Sequence, residues 1–299
     1  MAKERRSLNG KVVAITGGAR GIGKATATAL VRKGCRVAIG DLDLELAEQT
    51  AAGLGGGTIA LSLDVTDRAS FTAFVEETER QLGPVDVVVN NAGIMPVTAL
   101  VDESDDSIKR QLDINIYGVI VGCQLAIERF RPRGSGHIVN IASQAGKTAL
   151  PGIATYSGTK HAVVGISESV RAELRDSGVE VHCVMPTLVN TELTAGLGQK
   201  LIKAVDADDV AGEIVDALER GRFDVYVPRS NAVMTRFSVL LPRRAAEAIG
   251  RLMGANKLMF EVDHGARRAY EERAAASEPG LGEATGADAA ADQPARDAA

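Results

Sequence analysis

The sequence is poor in the residues that staple or ligate. Cysteine occurs three times in 299 residues, at Cys35, Cys123 and Cys183, far apart and without paired spacing. That argues against a disulfide framework or a cysteine zinc site and leaves reduced, structural thiols. The four histidines, His137, His161, His182 and His264, show no ligand spacing, so they read as structural or surface residues and no metal is expected. An excess of positive charge is also missing. Lys plus Arg number 34 against 39 for Asp plus Glu, a formal net charge of −5, which argues against a nucleic-acid partner. No apolar run approaches the roughly 18 residues of a membrane span. The charged opening, Lys3 to Arg6, leads to the short run Lys11–Thr16 and not to an apolar signal core. The expected location is the cytoplasm.

What the sequence does have is alternation. Short apolar runs at Val12–Ile15, Arg36–Ile39, Thr58–Leu63, Val85–Val89, His137–Ile141, Val179–Met185 and Phe223–Val227 read as strands buried on both faces. Amphipathic segments at Ile22–Lys33, Asp43–Ala52, Arg68–Gln81, Asp102–Phe130, Ala154–Asp176 and Ala207–Arg220 read as the helices between them. Strict alternation implies an α/β fold with a doubly wound parallel sheet. Gly34, Gly83 and Gly178 each stand just past an expected helix end. Residues 229–273 carry nine Arg or Lys against five acids and read as a helical extension. Residues 274–299, rich in Ala, Gly and acid, read as a disordered tail.

The first strand runs into Thr16-Gly17-Gly18-Ala19-Arg20-Gly21-Ile22-Gly23. Glycines at a strand-to-helix turn let backbone approach a pyrophosphate, and the helix then directs its N–H groups and positive dipole end at the anion. Asp41 ends the second strand, 18 residues after Gly23, close to the spacing at which a carboxylate reaches the adenosine ribose hydroxyls. A carboxylate there repels a 2′-phosphate, which favours NAD over NADP. Arg20 pulls the other way, since a guanidinium binds phosphate.

Tyr156 and Lys160 are spaced i, i+4 in an expected helix and so share a face. A nearby ammonium favours the phenolate. Ser143 follows the strand His137–Ile141, where its hydroxyl can bind the same substrate oxygen. The glycine loop, Asn90-Asn91-Ala92-Gly93, Asn115, Ser143 and the Tyr156/Lys160 pair together resemble the short-chain dehydrogenase/reductase family over about residues 8–228. The resemblance implies a Rossmann-type fold and hydride transfer on nicotinamide. It implies Tyr156 as general acid/base, Ser143 as the group that positions and polarises the substrate oxygen, and Lys160 as binder of the nicotinamide ribose that lowers the Tyr156 pKa. It makes Asn115 the holder of a water in a proton relay to Lys160. Asp64 and Val65 would meet the adenine. Asn91, Ala92 and Gly93 would line the cofactor ribose, while Pro186, Val189 and Thr191 would meet the nicotinamide.

One departure stands out. Met185-Pro186-Thr187 replaces the family's usual Pro-Gly, and Thr lacks the positive φ values open to Gly. The following segment, Leu188–Lys203, is apolar enough to expect a hydrophobic alcohol or ketone as substrate. The extension from Val227 loosely resembles that of members acting on retinoids, steroids and long-chain alcohols. Its basic amphipathic face fits an anionic membrane surface, the sheet or a partner subunit. The resemblance also implies a homodimer or homotetramer. Two alternatives stand beside the NAD-dependent enzyme. One is an NADP-dependent ketone or 3-oxoacyl reductase. The other is a non-catalytic dinucleotide sensor or scaffold, which the intact Asn115, Ser143, Tyr156 and Lys160 set argues against.

Overall fold

The computed structural model describes residues 5–196, 204–233, 235, 244 and 263–276. Seven strands form one sheet in the order β3-β2-β1-β4-β5-β6-β7, and every neighbouring pair is parallel. They are β1 (Val12–Thr16), β2 (Arg36–Asp41), β3 (Ile59–Ser62), β4 (Val87–Asn90), β5 (Gly136–Ile141), β6 (Val179–Pro186) and β7 (Asp224–Val227). The helices are α1 (Gly21–Arg32), α2 (Leu44–Leu54), α3 (Arg68–Leu82), α4 (Asp105–Leu112), α5 (Gly118–Arg133), α6 (Ala154–Glu173), α7 (Ala207–Arg220) and α8 (His264–Ala276).

Each strand feeds two cores, which is why it is apolar on nearly every residue. Val12 and Ala14 of β1 join Phe71, Phe74, Val121 and Phe130 on the face covered by α3 and α5. Val13 and Ile15 join Leu30, Ile214 and Leu218 on the face covered by α1 and α7. Aspartates start several helices: Asp43 accepts from Leu46 N, and Asp67 from Ala69 N and Ser70 N. Asp206 forms a capping box on α7.

The expected single helix Asp102–Phe130 is in fact interrupted. A 3₁₀ turn at Leu100–Asp102 precedes α4, whose N-cap is Ser104, and a π turn at Asp113–Tyr117 separates α4 from α5. The extra residue in that turn rotates Asn115 into the interior, where its side chain takes both backbone groups of Ile94. The helix expected to reach Asp176 stops at Glu173. Asp176 adopts a left-handed conformation (φ 65) that no helix continues. The tail expected from residue 274 is corrected at its start. Ala274 to Ala276 belong to α8, and Ala274 is buried. Most of the expected extension, residues 234, 236–243 and 245–262, lies outside the described residues, as do 197–203 of the apolar segment and 277–299 of the tail. Among the described residues no helix is long and apolar enough to cross a membrane.

Candidate functional site

The chain crosses from one half of the sheet to the other between β1 and β4, and the loops leaving those strands part there. A cleft of about 590 Å³ opens at this point, above the carboxyl ends of the strands. Two loops are stitched together at its floor. Thr16 Oγ1 accepts from Asn91 N and Ala92 N, both at 3.0 Å, and Asn91 Nδ2 donates to the carbonyls of Thr16 and Gly17 at 2.9 Å. Gly17 sits at φ +64 against Ala92, where a Cβ would lie 2.9 Å from Ala92 Cα. A Cβ on Gly23 would lie 2.2 Å from the Gly17 carbonyl oxygen, so Gly23 lets the first helical turn close onto the loop.

The fit to a dinucleotide rests on α1. Arg20 at the N-cap of α1 makes no side-chain cap bond and the first turn carries no acid, as is also true of α5 and α6; what marks α1 is the glycine loop that leads into it. The uncapped amides belong to a turn whose Gly21 and Ile22 line the cleft, an arrangement suited to an anion. Asp41 also lines the cleft. Its Oδ2 accepts from Ala19 N at 3.0 Å and its Oδ1 from Asp43 N at 3.2 Å. Arg20 is committed elsewhere, to Asp43 at 2.6 Å and Glu192 at 3.3 Å.

At the other end of the cleft α6 brings in Tyr156 and Lys160, both buried. Lys160 Nζ donates to the Ile141 carbonyl at 2.8 Å and lies 5.7 Å from the centre of the Tyr156 ring. Ser143 hydrogen-bonds Tyr156 and accepts from Ala145 N at 3.1 Å. Burial pushes the Tyr156 phenol up to about 12, and the Ser143 bond pulls the other way. The expected lowering of Tyr156 by Lys160 is therefore not a property of the chain alone. Burial instead lowers the Lys160 ammonium to about 8. Asn115 stands behind this pair, with Nδ2 donating to Thr159 Oγ1 at 3.1 Å.

Asn91, Ala92, Gly93, Asp64, Val65, Pro186, Val189 and Thr191 line the same cleft as Gly17, Arg20, Gly21, Ile22, Asp41, Ser143, Tyr156 and Lys160. Gly23 and Asn115 stand behind that surface. Asp64 Oδ1 is taken by Thr66, through N at 2.8 Å and Oγ1 at 2.7 Å. Thr187 causes no strain. Its N–H continues the ladder to Val227 O at 2.9 Å, and Asp176 is the sole non-glycine with positive φ among the described residues. The histidines are not all isolated: His137 and His182 meet at 3.1 Å, at the opposite end of the sheet.

Helix α8 falls largely within the helical extension expected over 229–273; what sequence reasoning missed is its place in the cleft wall. Met95, Leu150, Ile153, Leu188 and Leu193 make the cleft apolar beside Tyr156, and Tyr270, Arg273 and Ala274 of α8 complete the wall. Arg267 anchors the helix although its side chain is 0% exposed. It donates to Met95 O at 2.9 Å, Leu193 O at 3.0 Å and Ala195 O at 3.1 Å, and pairs with Glu271 at 3.1 Å. The Tyr270 hydroxyl accepts from Met95 N at 2.7 Å. The available signal was Arg267 and Tyr270 at i, i+3 on one helical face, hidden in a stretch that reads as surface charge.

A family model described as short chain dehydrogenase matches residues 11–201. The chain is 40% identical to a sorbitol dehydrogenase of Cereibacter sphaeroides over 195 residues, 64% of this chain and 76% of the relative. It is 29% identical to 17-beta-hydroxysteroid dehydrogenase 13 of Rattus norvegicus over 271 residues, 89% of each chain. Among solved structures it is similar to a short chain dehydrogenase/reductase from Burkholderia phymatum in complex with NAD. The TM-score is 0.72 at 26% identity, covering 77% of this chain and 93% of that one. It is also similar to the 3-ketoacyl-(acyl-carrier-protein) reductase from Brucella melitensis complexed with NADH. The TM-score is 0.71 at 27% identity, covering 74% and 98%.

Two outcomes follow from the buried cations. The fall of Lys160 from 10.5 to about 8 costs the folded state about 3 kcal/mol below pH 8. From pH 8 to 10.5 the unfolded chain still binds the proton that the folded chain has released, so stability rises with pH. Urea unfolding at pH 7 and pH 10 therefore gives a stability gap between Lys160→Met and the parent chain that shrinks at the higher pH; a constant gap contradicts the assignment. Arg267→Ala removes three buried bonds to carbonyls, each worth about 1.5–3 kcal/mol. Amide exchange across 264–276 then accelerates by more than ~10-fold while β1 and β4–β6 keep their protection. Unchanged exchange in α8 contradicts the anchoring role.

Proposed function

The chain belongs to the short-chain dehydrogenase family and is an oxidoreductase, and from that premise we propose that it transfers hydride between NAD(H) and an apolar alcohol or ketone, with Tyr156 as general acid/base. The observation that carries this reading is the convergence, in one cleft, of Ser143, Tyr156 and Lys160 with an uncapped α1 and the Asp41 carboxylate. When bound, the nicotinamide supplies the carbon that accepts or gives hydride. The chain's own task is the proton and the geometry.

In the oxidative direction the alcohol proton passes from oxygen to the Tyr156 phenolate as hydride leaves the carbon. Ser143 holds the same oxygen, and its bond to Tyr156 keeps the two hydroxyls together. A phenol near 12 gives up its proton slowly at neutral pH. The positive charge of the oxidised ring, added to the Lys160 ammonium, favours the phenolate. Lys160 is held by the Ile141 carbonyl. Asn115, buried behind it, keeps the role that the family resemblance gives it, holding a water toward Lys160.

NAD is favoured over NADP by charge. Asp41 lines the cleft with its carboxylate fixed by two backbone amides, where it would accept from a ribose hydroxyl and repel a 2′-phosphate, and Arg20 is already neutralised by Asp43 and Glu192. The apolar wall of Met95, Leu150, Ile153, Leu188 and Leu193 supports a hydrophobic substrate over a polyol.

The deciding experiment follows absorbance at 340 nm with NAD and NADP against steroids, retinol, long-chain alcohols and short polar alcohols. NADH formation with the apolar alcohols is expected. Turnover on polar alcohols alone contradicts the substrate class, and turnover with NADP alone contradicts the Asp41 argument. Tyr156→Phe should lower turnover by more than ~10²-fold while NAD still binds by isothermal titration calorimetry. Asp41→Ala should weaken NAD and admit NADP.

A further inference from the structure

The amino-terminal ends of β5 and β6, remote from the cleft, carry a second polar cluster. Strand register pairs His137 with Glu180 and Val139 with His182. Side chains two apart on a strand share a face, so His137, Glu180 and His182 project together. His137 Nδ1 lies 3.1 Å from His182 Nε2 and 3.8 Å from Glu180 Oε2, and one ligand atom from each residue falls within 4.8 Å of the others.

Hydrogen-bond logic fixes the tautomers. His182 Nδ1 lies 2.6 Å from the Arg222 carbonyl, so it carries the proton, and Nε2 is left with a lone pair. His137 Nδ1 donates to that lone pair. Arg6 takes Glu180 Oε1 at 2.6 Å. Glu180 Oε2, turned toward the imidazoles, is buried and has no hydrogen-bond partner. A carboxylate oxygen without a partner beside two ring nitrogens is costly unless something positive is shared among them.

We propose that His137, Glu180 and His182 form a site for a divalent transition metal of the Zn²⁺ or Co²⁺ type, bound through Nδ1, Oε2 and Nε2. Two imidazoles and a carboxylate are the donor set that such borderline cations accept. Metal–ligand bonds of about 2.0–2.1 Å in tetrahedral array place ligands about 3.3 Å apart, so the separations of 3.1 and 3.8 Å need shifts of a few tenths of an ångström, and the longer Glu180–His182 separation, within 4.8 Å, has to close further. The outer contacts are already those of a ligand set: a carbonyl on the far nitrogen of His182 and a guanidinium on the far oxygen of Glu180. Binding moves the His137 proton from Nδ1 to Nε2 and releases none. The nearby Lys11 is paired with Asp86 at 3.0 Å, and the Arg6 charge sits behind the carboxylate. The side chains of Glu180 and His137 are 29% and 15% exposed, which leaves a path from solvent.

The test is a Co²⁺ titration of the full chain after chelator treatment, followed by visible d–d absorption. The expected result is one Co²⁺ per chain, displaced by Zn²⁺, with affinity at least ~10-fold weaker in His137→Gln and in Glu180→Gln. These two residues reach solvent, so the variants spare the fully buried His182, and far-ultraviolet circular dichroism verifies their fold. Absence of d–d bands overturns the site. Bands that persist at full affinity in both variants also overturn it, as does a thiolate-to-cobalt band in the near ultraviolet.

Discussion

A buried ammonium has to be solvated by the protein that buries it, and the site is arranged around that demand at Lys160. The interior lowers its hold on the proton to about 8, and a single carbonyl, Ile141 O at the end of β5, is its direct partner. The neighbouring backbone is shaped to keep this space. A Cβ on Gly93 would stand 3.1 Å from Asn115 Oδ1 and 3.6 Å from Lys160 Nζ. Asn115 enters the interior only because the helix widens into a π turn there, and its amide then fixes Ile94 in the loop after β4. Three segments distant in sequence are thus held in register about one charge. The fold accepts the cost because the same charge faces the Tyr156 ring.

The loop after β6 connects the two ends of the cleft. Val189 pairs with Val205, Glu192 meets Arg20 on one side and Arg273 on the other, and Leu193 and Ala195 give their carbonyls to Arg267. The exposed pairs contribute little singly. The fully buried Arg267 contributes more, because losing it leaves carbonyls without donors. Position along the cleft therefore separates two tasks: the glycine loop and Asp41 face one end, and α8 walls the other.

Much of this was legible in the sequence. Alternating apolar and amphipathic segments marked the seven strands and their order along the chain, since apolar runs this short, rich in β-branched residues and alternating with longer amphipathic segments, favour strands over buried helices. Asp41, Ser143, Tyr156 and Lys160 were legible because each follows a strand or shares a helix face. The π turn was not, because Asp113–Tyr117 has the same apolar rhythm as the helices it divides. Gly23, read as part of the phosphate loop, is also where the helix admits the Gly17 carbonyl. His137 and His182 are brought together by strand register, which no local spacing reports. Arg267 was hidden for a related reason: a charge in a basic stretch reads as solvated until the carbonyls that receive it are known.

The anchoring of α8 has a consequence for the order in which the protein becomes competent during synthesis. The sheet and its covering helices use residues 12–227, and both of its cores are complete once β7 has emerged. The wall beside Tyr156 needs Arg267 and Tyr270, which leave the ribosome later. A nascent chain can therefore fold the glycine-loop end of the cleft while the end beside Tyr156 is still open to solvent, and the apolar residues Met95, Leu188 and Leu193 are covered by α8 only at the end.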